Sequence, residues 1–189
     1  MKRNTIILLV IAAFVVIMVI SAIGTYNGLV AKRQTVTSSL SDIDAQLQRR
    51  MDLIPKLVNS VKGYAAQEKS IFENVSANQA KLAGASTLSD KAAASDQLTS
   101  SLKSLIAIQI NFPLLKSDAN FQQFSDELAG TENRIAVSRL DYNKAVQSYN
   151  TTIQSFPANI SAGMFGFKEF EYFKAANSAK EAPTVSFAQ

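Results

Sequence analysis

The chain has 189 residues, 47% of them hydrophobic, and contains neither histidine nor cysteine, which excludes thiolate chemistry, disulfides, the usual zinc and copper sites and any histidine-based nucleophile–base pair. Its net charge of +4 is carried by lysines and arginines dispersed among acids, unlike the massed positive charge that marks a nucleic-acid footprint. The length suits one compact domain plus an appendage, and with no Gly-rich phosphate loop and no Gly-x-Ser-x-Gly elbow the expectation is a protein that is not an enzyme and uses no cofactor, metal or small-molecule substrate.

From Ile6 to Ile23 every residue is apolar except Ser21. As helix the run spans roughly 27 Å at about 1.5 Å per residue, close to the hydrocarbon thickness of a bilayer. It reads as a transmembrane helix within an anchor of residues 1–25. A cleavable signal peptide is the rival, with Lys2 and Arg3 as its basic start and Ala22-Ile23-Gly24 as its cleavage site, but its apolar core exceeds the usual range of about 7 to 15 residues. Lys2 and Arg3 on one flank are matched by Lys32 and Arg33 on the other. The first pair lies closer to the span, which favours a cytoplasmic N-terminus and an extracytoplasmic, periplasmic domain over a cytoplasmic one. Lys32 and Arg33 are candidates to meet anionic lipid head groups.

Beyond the anchor, one series seven residues apart runs Leu29, Val36, Ile43, Arg50, Leu57, Tyr64, Ile71, and a second runs Arg33, Leu40, Leu47, Ile54, Val61, Glu68, Val75, Leu82. Such a double stripe is that of a helical bundle or coiled coil, and it predicts one long helix from Leu29 to Leu82. Pro55 lies inside it and removes an N–H that the Met51 carbonyl would accept, so the helix is either kinked there or restarted at Asp52, with its carboxylate as cap. Arg50 holds a seam position with no acid three or four residues away on its own face. It either pairs with Glu132 of a later helix in a buried polar layer or runs out along its stem to water.

Gly84 and the Ser- and Ala-rich stretch after it predict a turn, with Ser89 or Asp90 capping the next helix. Leu98, Leu102, Leu105, Gln109 and Phe112 predict a shorter helix ending at Pro113. Ser117 and Asp118 can cap a last long helix with the core series Phe121, Leu128, Ile135, Tyr142, Tyr149, Phe156, flanked by Phe124, Val146 and Ile153 and stopped by Pro157. No strand-length stretch alternates with period two. The fold class is therefore all-α: a transmembrane helix followed by an elongated antiparallel bundle of three to four long helices over residues 26–157. Residues 158–189 form a C-terminal aromatic segment and a mobile tail from Ala175. The rings of MFGFKEFEYFK either cover the open end of the bundle or enter a membrane interface or partner groove.

The blocks RRMDLIPKLV and TENRIA, with YNGLVAKRQTV, NFPLLKSDANFQQFSDELAG, FPANISA and GFKEFEYF around them, resemble the LemA family in order and over nearly the whole chain. The resemblance implies a bacterial single-pass membrane protein with a helical bundle, and it carries over no catalytic or ligand-binding residues. It places Arg50, Asp52 and Pro55, with Glu132, Asn133 and Arg134, among the family's characteristic positions, as candidates for a structural or interaction role. Ser39-Leu40-Ser41 and the flank after Tyr64 depart from the family pattern.

The expected function is a membrane-anchored, non-enzymatic scaffold that meets a protein partner or itself. The alternative is a membrane-shaping or lipid-contacting protein acting by self-association. Hydrolysis by paired carboxylates is disfavoured because Asp42 and Asp44, two apart, point to different helix faces.

Overall fold

The computed structural model describes residues 3–174, with side chains from residue 6. Lys2 and the tail from Ala175, assigned roles above, lie outside the described residues, as does the side chain of Arg3. Six α-helices occur in chain order: α1 (Arg3–Lys62), α2 (Lys69–Ala83), α3 (Leu88–Ala107), α4 (Pro113–Lys116), α5 (Ala119–Gln154) and α6 (Ala158–Phe165), with a 3-10 turn at Ile108–Ile110 before α4. No strand occurs among the described residues. The all-α class read from the periodicity is the class observed.

The chain divides into two compact units, one of Met1–Leu40 with Asp141–Glu171, the other of Ser41–Leu140 with Tyr172–Gln189. In the first, the apolar run of α1 has each large side chain from Ile6 to Ile20, and Ile23, more than half exposed, and the helix is long and apolar enough to cross a membrane. From Leu29 the pattern narrows to one buried stripe, Leu29 and Val36, and α5 adds Val146, Tyr149 and Ile153 to the buried residues of the same unit.

In the second unit α1 contributes Ile43, Leu47, Ile54, Leu57 and Val61, α2 Val75 and Leu82, α3 Leu98, Leu102 and Leu105, and α5 Phe121, Leu128 and Ile135, all buried. Four helical segments thus share one core, as binary patterning with seven-residue repeats requires.

Three boundaries differ from expectation. The helix begun before Leu29 stops at Lys62, not Leu82. Gly63 weakens it by about 1 kcal/mol relative to alanine, and the Val61 carbonyl then accepts the N–H groups of both Tyr64 and Ala65 at 3.0 Å in a tight turn. Val75 and Leu82 keep the phase of Val61 although they belong to another helix. Next, the cap of α3 is Thr87, whose hydroxyl oxygen accepts the Asp90 N–H at 3.0 Å and donates to Asp90 Oδ2 at 2.7 Å, so Asp90 supports the cap without being it. Last, α3 ends at Ala107, and Pro113 opens α4 instead of closing α3. Phe112, at φ −129° and ψ 85°, is held out of the helical region by the ring that comes after it.

At the other end, α5 begins where Asp118 Oδ1 accepts the Phe121 N–H at 2.8 Å. It stops at Gln154, so Phe156, placed in the core series by spacing, is 81% exposed instead. Gly166 ends α6 in the left-handed conformation, φ 69°, and its N–H closes on the Ala162 carbonyl. A side chain with a Cβ is strained there by roughly 1–2 kcal/mol. The chain then runs without regular structure from Phe167 to Lys174 as a strap.

Candidate functional site

Arg50 sits on the seam of α1 between Ile43 and Leu57 and is 1% exposed. Its guanidinium donates from Nη2 to Glu132 Oε2 of α5, from Nη1 to Thr99 Oγ1 of α3 at 2.9 Å, and from Nε to Thr131 Oγ1 of α5 at 3.4 Å. The polarity is consistent around the cluster. Thr131 gives its own hydrogen to the Leu128 carbonyl at 2.7 Å, and the Thr99 hydroxyl lies 3.0 Å from both the Ser95 carbonyl and Glu132 Oε2. Each threonine is left with a lone pair for the cation.

Burial lowers the Arg50 pKa from its ordinary value, and the charge and hydrogen bond of Glu132 oppose that shift. Arg139 adds to the lowering and Asp96 offsets it, because those two pair beside the layer, Nη1 to Oδ1 at 3.0 Å. The Glu132 side chain is 48% exposed, so one end of the pair is dry and the other wet. Over it opens a cavity of about 260 Å³ whose polar wall is Arg50, Thr99, Lys103, Glu132 and Asn133 and whose apolar wall includes Leu102, Ile106 and Leu128.

Pro55 lies inside α1, which continues through it, and no new helix starts at Asp52. The Asp52 carboxylate accepts from Gln48 Nε2 at 2.8 Å on the surface. The Met51 carbonyl, which loses its helical donor to the proline ring, accepts from Gln79 Nε2 of α2 at 3.3 Å. A side chain on a neighbouring helix fills the place of the missing N–H.

The other predicted residues are dispersed. Arg134 Nε donates to Gln46 Oε1 at 3.1 Å and folds over Gly130, where a Cβ would meet Arg134 Nη1 at 3.2 Å. Asn133 is exposed at the rim of the cavity. In the first unit Lys32 Nζ donates to Ser148 Oγ at 2.6 Å, while Arg33, set on a seam by spacing, is exposed. Arg33 lies near enough to Tyr149 to oppose the rise that burial gives that phenol.

A second built polar contact escaped the sequence reading. Asn150, 6% exposed, donates from Nδ2 to the Phe170 carbonyl at 2.9 Å and accepts the Phe170 N–H on Oδ1 at 3.0 Å, so one carboxamide satisfies both polar groups of one strap residue. Tyr142 donates to the Glu171 carbonyl at 2.9 Å, and the Tyr149 ring meets Phe170 edge-on at 5.1 Å. In the second unit Arg139 lies 4.6 Å from the centre of the buried Phe173 ring. The aromatic segment therefore packs on its own chain at Phe167, Phe170 and Phe173, while α6 keeps exposed apolar side chains.

Thr99, Thr131 and Gln79 were also missed. The sequence signalled that Arg50 and the Met51 carbonyl each needed a partner, without saying which residue supplied it. No group of three or more Asp or Glu able to hold a metal ion occurs among the described residues.

Residues 39–187 match the family described as the LemA family. The magnetosome protein MamQ 2 of Paramagnetospirillum magneticum strain AMB-1 is 27% identical over 187 residues, covering 85% of this chain and 68% of that protein. MamQ of Magnetospirillum gryphiswaldense is 26% identical, covering 78% and 64%. Protein LemA of Metamycoplasma hominis is 24% identical, covering 82% and 71%. A match over most of the chain, on the all-helical fold that the family resemblance implies, establishes that this protein belongs to the LemA family.

Proposed function

We propose that the protein is a membrane-anchored, non-enzymatic helical scaffold that holds an interaction surface beside a bilayer. The observation that carries this reading is α1. Its apolar run is exposed around its whole circumference, and a helix apolar on every side is stable only where another apolar medium surrounds it. The same helix continues into the buried stripe from Leu29, so anchor and domain are one element.

Composition supports the absence of catalysis. The polar layer around Arg50 uses its groups on one another, and its one wet carboxylate, Glu132, faces a fixed cation instead of a second carboxylate, unlike an acid–base pair. Lys2 and Arg3 beside the span favour an N-terminus in the cytoplasm and a domain outside it. The relatives' names carry no reaction.

Cross-linking in native membranes followed by affinity recovery of the full chain tests the scaffold: a protein partner or further copies of the chain should come with it, and recovery of neither overturns it. Carbonate extraction tests the anchor, since an integral protein stays with the pellet. Protease added to intact spheroplasts should cut the domain if it lies outside.

A further inference from the structure

α6 carries an apolar line that no described residue covers. Ile160 and Met164 of α6 are 56% and 76% exposed and their spacing of four sets one above the other, while Phe156, in the turn just before the helix, is 81% exposed. Ala162, on the opposite face, is buried. The helix contains no charged residue.

Where this line sits decides what it meets. Lys32 of α1 touches Ser148 of α5. Eight residues before Lys32 lies Gly24, and eight residues after Ser148 lies Phe156. The ring of Tyr26 then packs edge-on against Phe165 and Phe167 at 4.9 and 5.7 Å, which pins the C-terminal end of α6 three residues past Ile23, the last residue of the apolar run. The C-terminal end of α6 therefore lies beside the end of the apolar run of α1, at the height where hydrocarbon gives way to head groups. Tyrosine, apolar at one end and polar at the other, is favoured at that depth.

We propose that α6 is an interfacial helix whose exposed Ile160 and Met164, with Phe156 in the turn before it, enter the head-group and upper acyl layer of the bilayer that α1 crosses, giving the first unit two points of attachment to one membrane. The inference rests on the membrane reading of α1. Lipid is a better match than a second copy of the chain, because eight helical residues offer far less than the roughly 800 Å² per partner of a stable protein interface, whereas a short amphipathic helix held beside a transmembrane segment needs no large area of its own.

The lack of cysteine allows single nitroxide labels on the full chain, reconstituted in phosphatidylethanolamine–phosphatidylglycerol vesicles, at Ile160→Cys, Met164→Cys, Phe14→Cys in the apolar run and Ser76→Cys on the exposed face of α2. These side chains lie on the outside of the protein, so the core is untouched. Collisions with oxygen, which concentrates in lipid, and with a water-soluble nickel chelate are then compared. Oxygen should dominate several-fold at 160 and 164, as at 14, with the order reversed at 76. Chelate access at 160 and 164 equal to that at 76, while 14 remains lipid-exposed, overturns the interfacial helix and leaves the anchor standing. Poor access of both reagents at 160 and 164 means protein covers the line, which also overturns it. Chelate access at 14 removes the anchor and the inference together.

Discussion

Arg50 and Asn150 are both polar and almost wholly buried, yet the two regions around them meet that burden in opposite ways. In the second unit a full charge is taken out of water and balanced by a carboxylate and two hydroxyl oxygens on two other helices. In the first, a neutral carboxamide donates once and accepts once, meeting the one N–H and one carbonyl of a single peptide residue. A buried cation is tolerable only with its particular partner in place, and removing that partner leaves a charge that cannot follow it into water. A neutral clamp on a strap can simply open, letting water take both sides. One site should therefore report on the whole unit and the other on a local opening.

The largest effect is expected at Glu132→Ala. Loss of one member of a fully buried ion pair costs about 3 to 5 kcal/mol, but Glu132 is half exposed and water reaches its side of the contact, so about 2 kcal/mol is expected in chemical melts of the full chain in detergent. Arg50→Met should cost less, although Arg50 is the more buried residue, because it removes the charge and keeps an apolar stem. In that background Glu132→Ala should cost under about 0.5 kcal/mol. A loss as large in both backgrounds would dissolve the contrast with Asn150.

Asn150→Ala comes next, at about 1 to 2 kcal/mol for two unpaired peptide groups. Its signature should be local: faster amide exchange across residues 167–174 with little movement of the main unfolding transition. If the whole chain melts early, the strap is part of the global cooperative unit. Gly166→Ala should act on the same segment with about 1 kcal/mol or slightly more, since the left-handed turn that redirects the chain into the strap resists a Cβ.

The contrast also sorts what was legible in the sequence. The stripes of α1 and α5 were readable because burial on one helix face imposes a repeat, and Arg50 stood out as a charge within one. The break after Lys62 was hidden because the turn from Gly63 to Glu68 happens to preserve the seven-residue phase, so Val75 and Leu82 look like a continuation. Gln79 and Thr99 were invisible because partners from other helices have no fixed spacing from the groups they satisfy. Asn150 was hidden for a further reason. Its partner is a backbone, which every residue has, and no side-chain pattern in the strap announces it. The helix α6 was missed because eight residues are too few to establish a period.

The smallest effect, and the sharpest separation, should come from acid. Asp118 at the start of α5 accepts the Phe121 N–H and, at 3.0 Å, the Tyr64 hydroxyl, and these hydrogen bonds, the backbone one first, hold its carboxyl below the ordinary range. A carboxyl whose folded pKa is depressed binds fewer protons folded than unfolded, so its contribution is complete above the unfolded value, about 3.9, and is lost as pH falls through the folded one. Asp118→Asn keeps an acceptor for Phe121 but has no charge to titrate. The stability difference between the parent and this variant should thus be constant near neutral pH and shrink below about pH 4, where the parent carboxyl also becomes neutral. The Asn150 clamp contains no titrating atom, so the opening of residues 167–174 at each pH should be the same in the parent and in Asp118→Asn. If strap opening tracks Asp118 protonation, the two regions are coupled, and the separation drawn between a charge-held bundle and a neutrally clamped strap fails.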